Sequence, residues 1–141
     1  MNYKRDAFLL AESFYLFACD RDDESYDFFF PAVVNTAFAC ELFLKALIAT
    51  EDTKEIKGHR WERLFDALSE NLKKEILHHP KMDGRSNFKE ELVSAGKIFS
   101  DWRYTFEPGK HRELNLIFLS DIAEALYEIA KKQCSIHPQQ A

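Results

Sequence analysis

The stretch Phe30-Pro-Ala-Val-Val-Asn35-Thr-Ala-Phe-Ala-Cys40-Glu41-Leu-Phe-Leu-Lys45-Ala-Leu-Ile-Ala-Thr50 decides the fold. Read at helical period it is apolar on nearly every face, and its strongly polar interior positions are Asn35, Thr36, Glu41 and Lys45. A surface helix carries one apolar stripe, so a helix apolar all round is expected to be enclosed by other helices. Its length is near the lower bound for a bilayer span. However, Glu41 and Lys45 in its C-terminal half make hydrocarbon a costly solvent. The stretch reads as the central helix of a soluble bundle. Pro31 suits its first turn, where the missing N–H costs nothing, and its end is expected near Thr50 to Asp52.

Working outward, Ala7, Leu10, Ala11, Phe14, Phe17 and Ala18 recur in steps of three and four, predicting a first amphipathic helix from about Tyr3 to Cys19. The acidic run Asp20 to Ser25 ends it as a solvated loop, about 20–27. Beyond a polar linker and Gly58-His59, Trp61, Leu64, Phe65, Leu68 and Leu72 mark a third helix, and a short piece from Leu72 to His78 is stopped by Pro80. Residues 80–87, with Gly84 and Asn87 as turn formers, are expected to be the mobile loop. Phe88, Leu92, Ala95, Phe99, Trp102 and Phe106 repeat with steps 4, 3, 4, 3, 4, the seam of a long, near-parallel helix packing. Gly96 inside that seam costs roughly 1 kcal/mol relative to Ala, which a close helix–helix approach offsets. Pro108-Gly109 ends the helix. The last helix starts near Glu113. Phe118, Ile122, Ala125 and Ile129 run beside Leu119, Ala123, Leu126 and Ala130 as a broad apolar face, and a polar tail frays from Ser135. The expected fold is all-α: one domain over 1–141, an up-and-down bundle of four long helices with a short connecting helix.

Composition agrees. The 141 residues are 46% apolar with 13 Phe, enough to bury about two thirds of the unfolded surface. Four Gly, four Pro and no strand-like alternation argue against an all-β chain. The net charge of −5, with both signs interspersed, attracts neither nucleic acid nor an anionic membrane globally, so a phosphate site has to be local. Cys19, Cys40 and Cys134 are odd in number and widely spaced, as in a reduced cytoplasmic protein, with no C-x-x-C or zinc pattern. No signal peptide or membrane anchor is evident.

Three islands then line up in order: Asn35-x-Ala-Phe-Ala-Cys-Glu41-Leu-Phe-Leu-Lys45-Ala-Leu; Gly58-His59-x4-Leu64-Phe65-x2-Leu68; and Phe99-x2-Trp102-Arg103-Tyr104-x-Phe-Glu107 before a leucine-rich last helix. The ordered set, from about Ala7 to Ala130, resembles the HEPN superfamily, in particular its short stand-alone bacterial members. The resemblance implies an up-and-down helical bundle, usually dimeric. Many members are metal-independent endoribonucleases of toxin or defence systems, with an Arg followed after four to six residues by a His. In these the His helps activate a ribose 2′-hydroxyl and the Arg holds the scissile phosphate across a dimer. Other members lack the pair and bind nucleotides, RNA or protein partners, small nucleotidyltransferases among them. No cofactor is implied.

The nearest match to that pair is Arg103 and His111, with seven residues between them and Pro108-Gly109 inside the interval. The residue types suit the chemistry: a His takes a proton at neutral pH and an Arg grips phosphate bidentately. Lys110 and Arg112 beside them make the only dense basic cluster read in the sequence, and Tyr104 is the aromatic placed for base stacking. The alternative is that Arg103 pairs with Glu107 or Glu41 and His111 merely begins the last helix. Glu41 and Lys45 either wall a polar pocket with Asn35 and Arg103, or form a half-buried pair that sets packing register. Gly58 is expected in a turn, with His59 hydrogen-bonding near the start of the third helix. Glu75 with His78-His79 supplies only one of the two Glu-x-x-His motifs of a di-iron bundle, so no metal site is expected. The cysteines read as buried small hydrophobes. Three functions follow. The irregular Arg–His spacing and acidic charge favour a dimeric module binding RNA, a nucleotide or a protein partner. A ribonuclease using Arg103 and His111, and a purely structural helical partner, are the alternatives.

Overall fold

The computed structural model describes residues 3–19, 29–49, 57–98 and 115–134, with side chains from residue 31 onward in the second of these segments. Among the described residues there are six helices and no strand: α1 (Tyr3–Cys19), α2 (Phe29–Ile48), α3 (Trp61–Asp66), α4 (Glu70–His78), α5 (Phe88–Gly96) and α6 (Leu116–Cys134). The all-α expectation holds at this level. The acidic loop 20–27, the continuation of the seam through Phe99, Trp102 and Phe106, and the tail from 135 lie outside the described residues.

The uniform apolarity of α2 has the expected consequence. Helices α1, α3, α5 and α6 all pack against it, and Val33, Ala37, Ala39, Cys40, Phe43, Leu44, Ala46 and Leu47 are all buried. Over Pro31–Ile48 the helix is long and apolar enough to cross a membrane, but just over half of that window (56%) is covered by protein. An aromatic cluster ties three helices together. Phe8 of α1 lies 6.0 Å from Phe43 of α2, Phe43 lies 5.7 Å from Tyr127 of α6, and Tyr15 of α1 lies 4.8 Å from Tyr127. Rings at these separations add directional attraction to the area they bury. The two apolar ridges read for the last helix are both buried, from Phe118 to Ala130. Asn115 caps it, its Oδ1 accepting from the Phe118 N–H at 3.0 Å, which satisfies a donor the helix end leaves open.

Two expectations change. The inward face of α1 is Ala7, Phe8 and Ala11, with Phe14 and Tyr15 half-buried, whereas Leu10 and Phe17 point to solvent. The sequence pattern admitted both because apolar residues occupy two opposite sides of this helix, and spacing alone does not say which side meets the core. The run from Trp61 to His78 is two helices divided at Ala67–Ser69 rather than a helix through Leu72 with a short extension. Ser69 takes an extended conformation (φ −64, ψ 157) and caps α4 by accepting from the Leu72 N–H at 3.2 Å. Serine competes with helix continuation through this local bond. Leu68, 4% exposed, anchors the corner in the core.

Gly96 behaves as its place in the seam predicted. A Cβ there would lie 2.8 Å from Cγ of Trp61, itself 1% exposed, so α5 approaches α3 as closely as a helix without a side chain allows. Gly58 (φ +106) turns the chain into α3, where a left-handed conformation suits glycine. The 80–87 segment, expected to be the mobile loop, has definite anchors. Met82 is buried, and Arg85 bonds Glu91 at 3.0 Å and Asp121 of α6 at 2.5 Å.

Candidate functional site

The charged groups of α2 gather at its C-terminal half. Glu41 and Lys45 are one turn apart, and the Lys45 ammonium lies 3.3 Å from Glu41 Oε2, with both side chains at least 90% covered. The same oxygen accepts from Nδ1 of His59 at 2.8 Å, reaching across from the loop before α3. One buried carboxylate therefore holds a buried ammonium on its own helix and an imidazole whose ring is 81% exposed. His59 does hydrogen-bond near the start of α3, as read from the sequence, but to Glu41; Arg60 is the N-cap residue and its side chain makes no capping bond. The Glu41–His59 contact spans 18 residues, so no local spacing announced it.

Asn35 does not share this face. Six residues at about 100° each place it roughly 120° around the helix from Glu41, and it is half-buried. Arg103, Tyr104, Lys110, His111 and Arg112 lie outside the described residues, between Ile98 and Asn115. Among the predicted site residues, the structure thus brings Glu41 and Lys45 together, adds His59 and separates Asn35.

The loop leading into α3 and the end of α5 form a basic corner. Lys57, His59, Arg60 and Arg63 are exposed, with Glu62 the acid among them. Lys57, Arg60 and Arg63 make no ion pair among the described residues. Gly96 against Trp61 puts exposed Lys97 at the same corner. The chain carries more acid than base overall, and Lys57, Arg60 and Arg63, three cationic side chains within seven residues, stand out against that background. Lys110 and Arg112 are therefore not the only dense basic cluster, contrary to what their spacing suggested: Lys57, Arg60 and Arg63 are separated by neutral and acidic residues in the chain but are all exposed around the start of α3.

A cleft of about 530 Å³ opens between the C-terminal end of α1, the start of α2 and the start of α6. Its polar wall is Tyr15, Cys19, Thr36, Lys81, Ser120, Asp121 and Glu124. The charges there are already matched: Asp121 by Arg85 at 2.5 Å, Glu124 by Lys81 at 3.5 Å. Thr36 returns its hydroxyl to Ala32 O at 2.8 Å. Burial, then the Cys19 thiol beside it, pushes the Tyr15 phenol above its ordinary range. The cleft has shape and hydroxyls but no uncompensated charge.

The remaining candidates resolve structurally. His79 bonds Glu128 of α6 at 2.5 Å, joining α4 to α6. Among the described residues no three His, Cys, Asp or Glu side chains gather as a metal site. Cys40 and Cys134 are buried, as expected, and burial raises both thiols, which keeps them protonated and unreactive. Cys19 is exposed, unlike the expectation, because it ends α1 rather than packing inside it. Comparison with protein-family models, curated proteins and solved structures finds no match for this chain.

Proposed function

We propose that this chain is a HEPN-like helical module that binds a phosphate-bearing ligand, RNA or a nucleotide, without cleaving it. The basic corner of Lys57, His59, Arg60, Arg63 and Lys97 carries the reading. Phosphate binding by an acidic protein needs a local concentration of donors, and this corner supplies one. Glu41 supports binding from beneath, holding the His59 ring at the surface while Lys45 balances its charge. The seven-residue interval between Arg103 and His111, longer than the four to six of the ribonuclease signature and holding Pro108-Gly109, speaks against turnover.

The test is fluorescence anisotropy with labelled single-stranded oligouridylate, with ATP as a nucleotide competitor. Binding should weaken steeply with salt, the slope of log K against log salt falling by about 0.7 for each phosphate contact removed. Arg60→Glu with Arg63→Glu should weaken it at least tenfold at unchanged helicity. No binding of either probe at low salt, or binding indifferent to those changes, overturns the proposal. Cleavage of the RNA in EDTA to cyclic-phosphate ends, lost in both Arg103→Ala and His111→Ala, would instead make the chain the ribonuclease.

A further inference from the structure

We infer that His59 is a phosphoryl-acceptor site: Nε2 of its ring takes a phosphoryl group from an acyl phosphate or phosphoramidate donor and holds it among Lys57, Arg60 and Arg63. The chemistry of the ring is set from beneath. Glu41 Oε2 lies 2.8 Å from Nδ1. An ionised carboxylate only accepts, so Nδ1 carries the proton and the neutral ring keeps its lone pair on Nε2. Lys45, 3.3 Å from the same oxygen, balances the carboxylate. The ring is 81% exposed, and Nε2 makes no hydrogen bond among the described residues. A donor arriving from solvent therefore meets an open nitrogen of fixed direction.

Such a nitrogen has three uses, and the surroundings choose between them. A metal ion is repelled by the neighbouring cations, and no three His, Cys, Asp or Glu side chains gather to hold one among the described residues. Taking a proton from a bound substrate is favoured where water is excluded, and a ring this exposed excludes none. Attack on phosphorus needs what is present: an oriented lone pair, and cations that draw in the donor and grip its oxygens. Lys57, Arg60 and Arg63 lie within four residues of His59, are exposed and make no ion pair among the described residues. In the transfer the Nε2 lone pair bonds to phosphorus while the bond from phosphorus to the leaving group breaks. That group, a carboxylate from an acyl phosphate or ammonia from phosphoramidate, departs with the electron pair. The proton stays on Nδ1, and Glu41 meets the positive charge the ring acquires. A nucleoside triphosphate reacts through magnesium, whereas these donors are activated by their leaving groups and need no metal. The acceptor shares its basic corner with the anion-binding reading, but a covalent label reports it without RNA.

Potassium phosphoramidate is the probe. Mass spectrometry of the full chain after brief exposure should find His59 labelled at least tenfold faster than His78, which is exposed at the end of α4 and has no carboxylate bonded to its ring among the described residues. Phosphorus NMR should show the group on Nε2. Arg60→Gln with Arg63→Gln should slow labelling of His59 severalfold and leave His78 unchanged. Glu41→Leu with Lys45→Leu frees the ring from its carboxylate and should also slow His59 severalfold, at unchanged far-ultraviolet circular dichroism. His59 labelled no faster than His78, phosphorus on Nδ1, or a His59 rate indifferent to either double change overturns the inference. RNA binding without preferential labelling of His59 removes the acceptor alone; preferential labelling without RNA or nucleotide binding removes the anion-binding reading alone.

Discussion

Replacing Lys45 by Met separates a packing role for the α2 pair from a functional one. Lys45 and Glu41 are 3.3 Å apart, and their side chains are 10% and 8% exposed. At an effective dielectric of about 20 their attraction is roughly 5 kcal/mol before desolvation is counted, and most of that is offset by taking both groups out of water. Removing one partner leaves the desolvation of the other uncompensated, which costs about 3–5 kcal/mol. His59 still donates to Glu41 at 2.8 Å in Lys45→Met, so the lower end, about 3 kcal/mol, is expected. In urea, with a slope of about 1.5 kcal/mol/M, that moves the midpoint down by about 2 M. The double change Glu41→Leu with Lys45→Leu removes both charges. His59, 81% exposed, exchanges its lost bond for water. The double variant should therefore recover to within about 1 kcal/mol of the parent, since buried pairs replaced by apolar residues are often neutral or stabilising. A midpoint shift below about 0.3 M in Lys45→Met, or a double variant as unstable as the single one, would refute this reasoning.

Gly96→Ala gains helix propensity but drives a methyl to 2.8 Å from Trp61 Cγ. The overpacking cost of about 1–3 kcal/mol should exceed the gain of about 1 kcal/mol, so thermal denaturation should show a lower midpoint. A variant at least as stable as the parent would show that α5 shifts freely off α3. Burial and then the bond to Glu12 push the Tyr127 phenol up to about 12. The unfolded phenol titrates near 10, so the folded state favours the protonated form. Tyr127 therefore contributes stability that is intact below pH about 10 and lost as pH rises towards about 12. Denaturant midpoints across that window should fall, and fall less in Tyr127→Phe; equal slopes in the two proteins would remove Tyr127 as the cause.

Periodicity made most of the fold legible. The α6 ridges, the Pro31 start and enclosure of α2, and the close approach at Gly96 are all direct consequences of residue type at fixed helical spacing. The expected site was legible only in part. Glu41 and Lys45 are a turn apart, so their pairing could be read locally, whereas His59 joins them from 18 residues away. Asn35 shares their polarity, but six residues of helix turn it to another side. Arg103, His111 and their basic neighbours lie outside the described residues, so their proposed part rests on the resemblance.

By itself the sequence determined that the chain is helical and that α2 lies at its centre, because propensity, capping and the 3.6-residue period act within a few neighbouring residues. Tertiary structure decided the rest. It chose which of two apolar sides of α1 turns inward, split the run after Trp61 into two helices, and tied His59, Lys45 and Glu41 into one cluster. These outcomes depend on which surfaces from distant parts of the chain fit one another, and no local spacing encodes that. The central stretch was apolar enough to organise a core in any arrangement; only packing placed its one buried carboxylate beneath a basic surface.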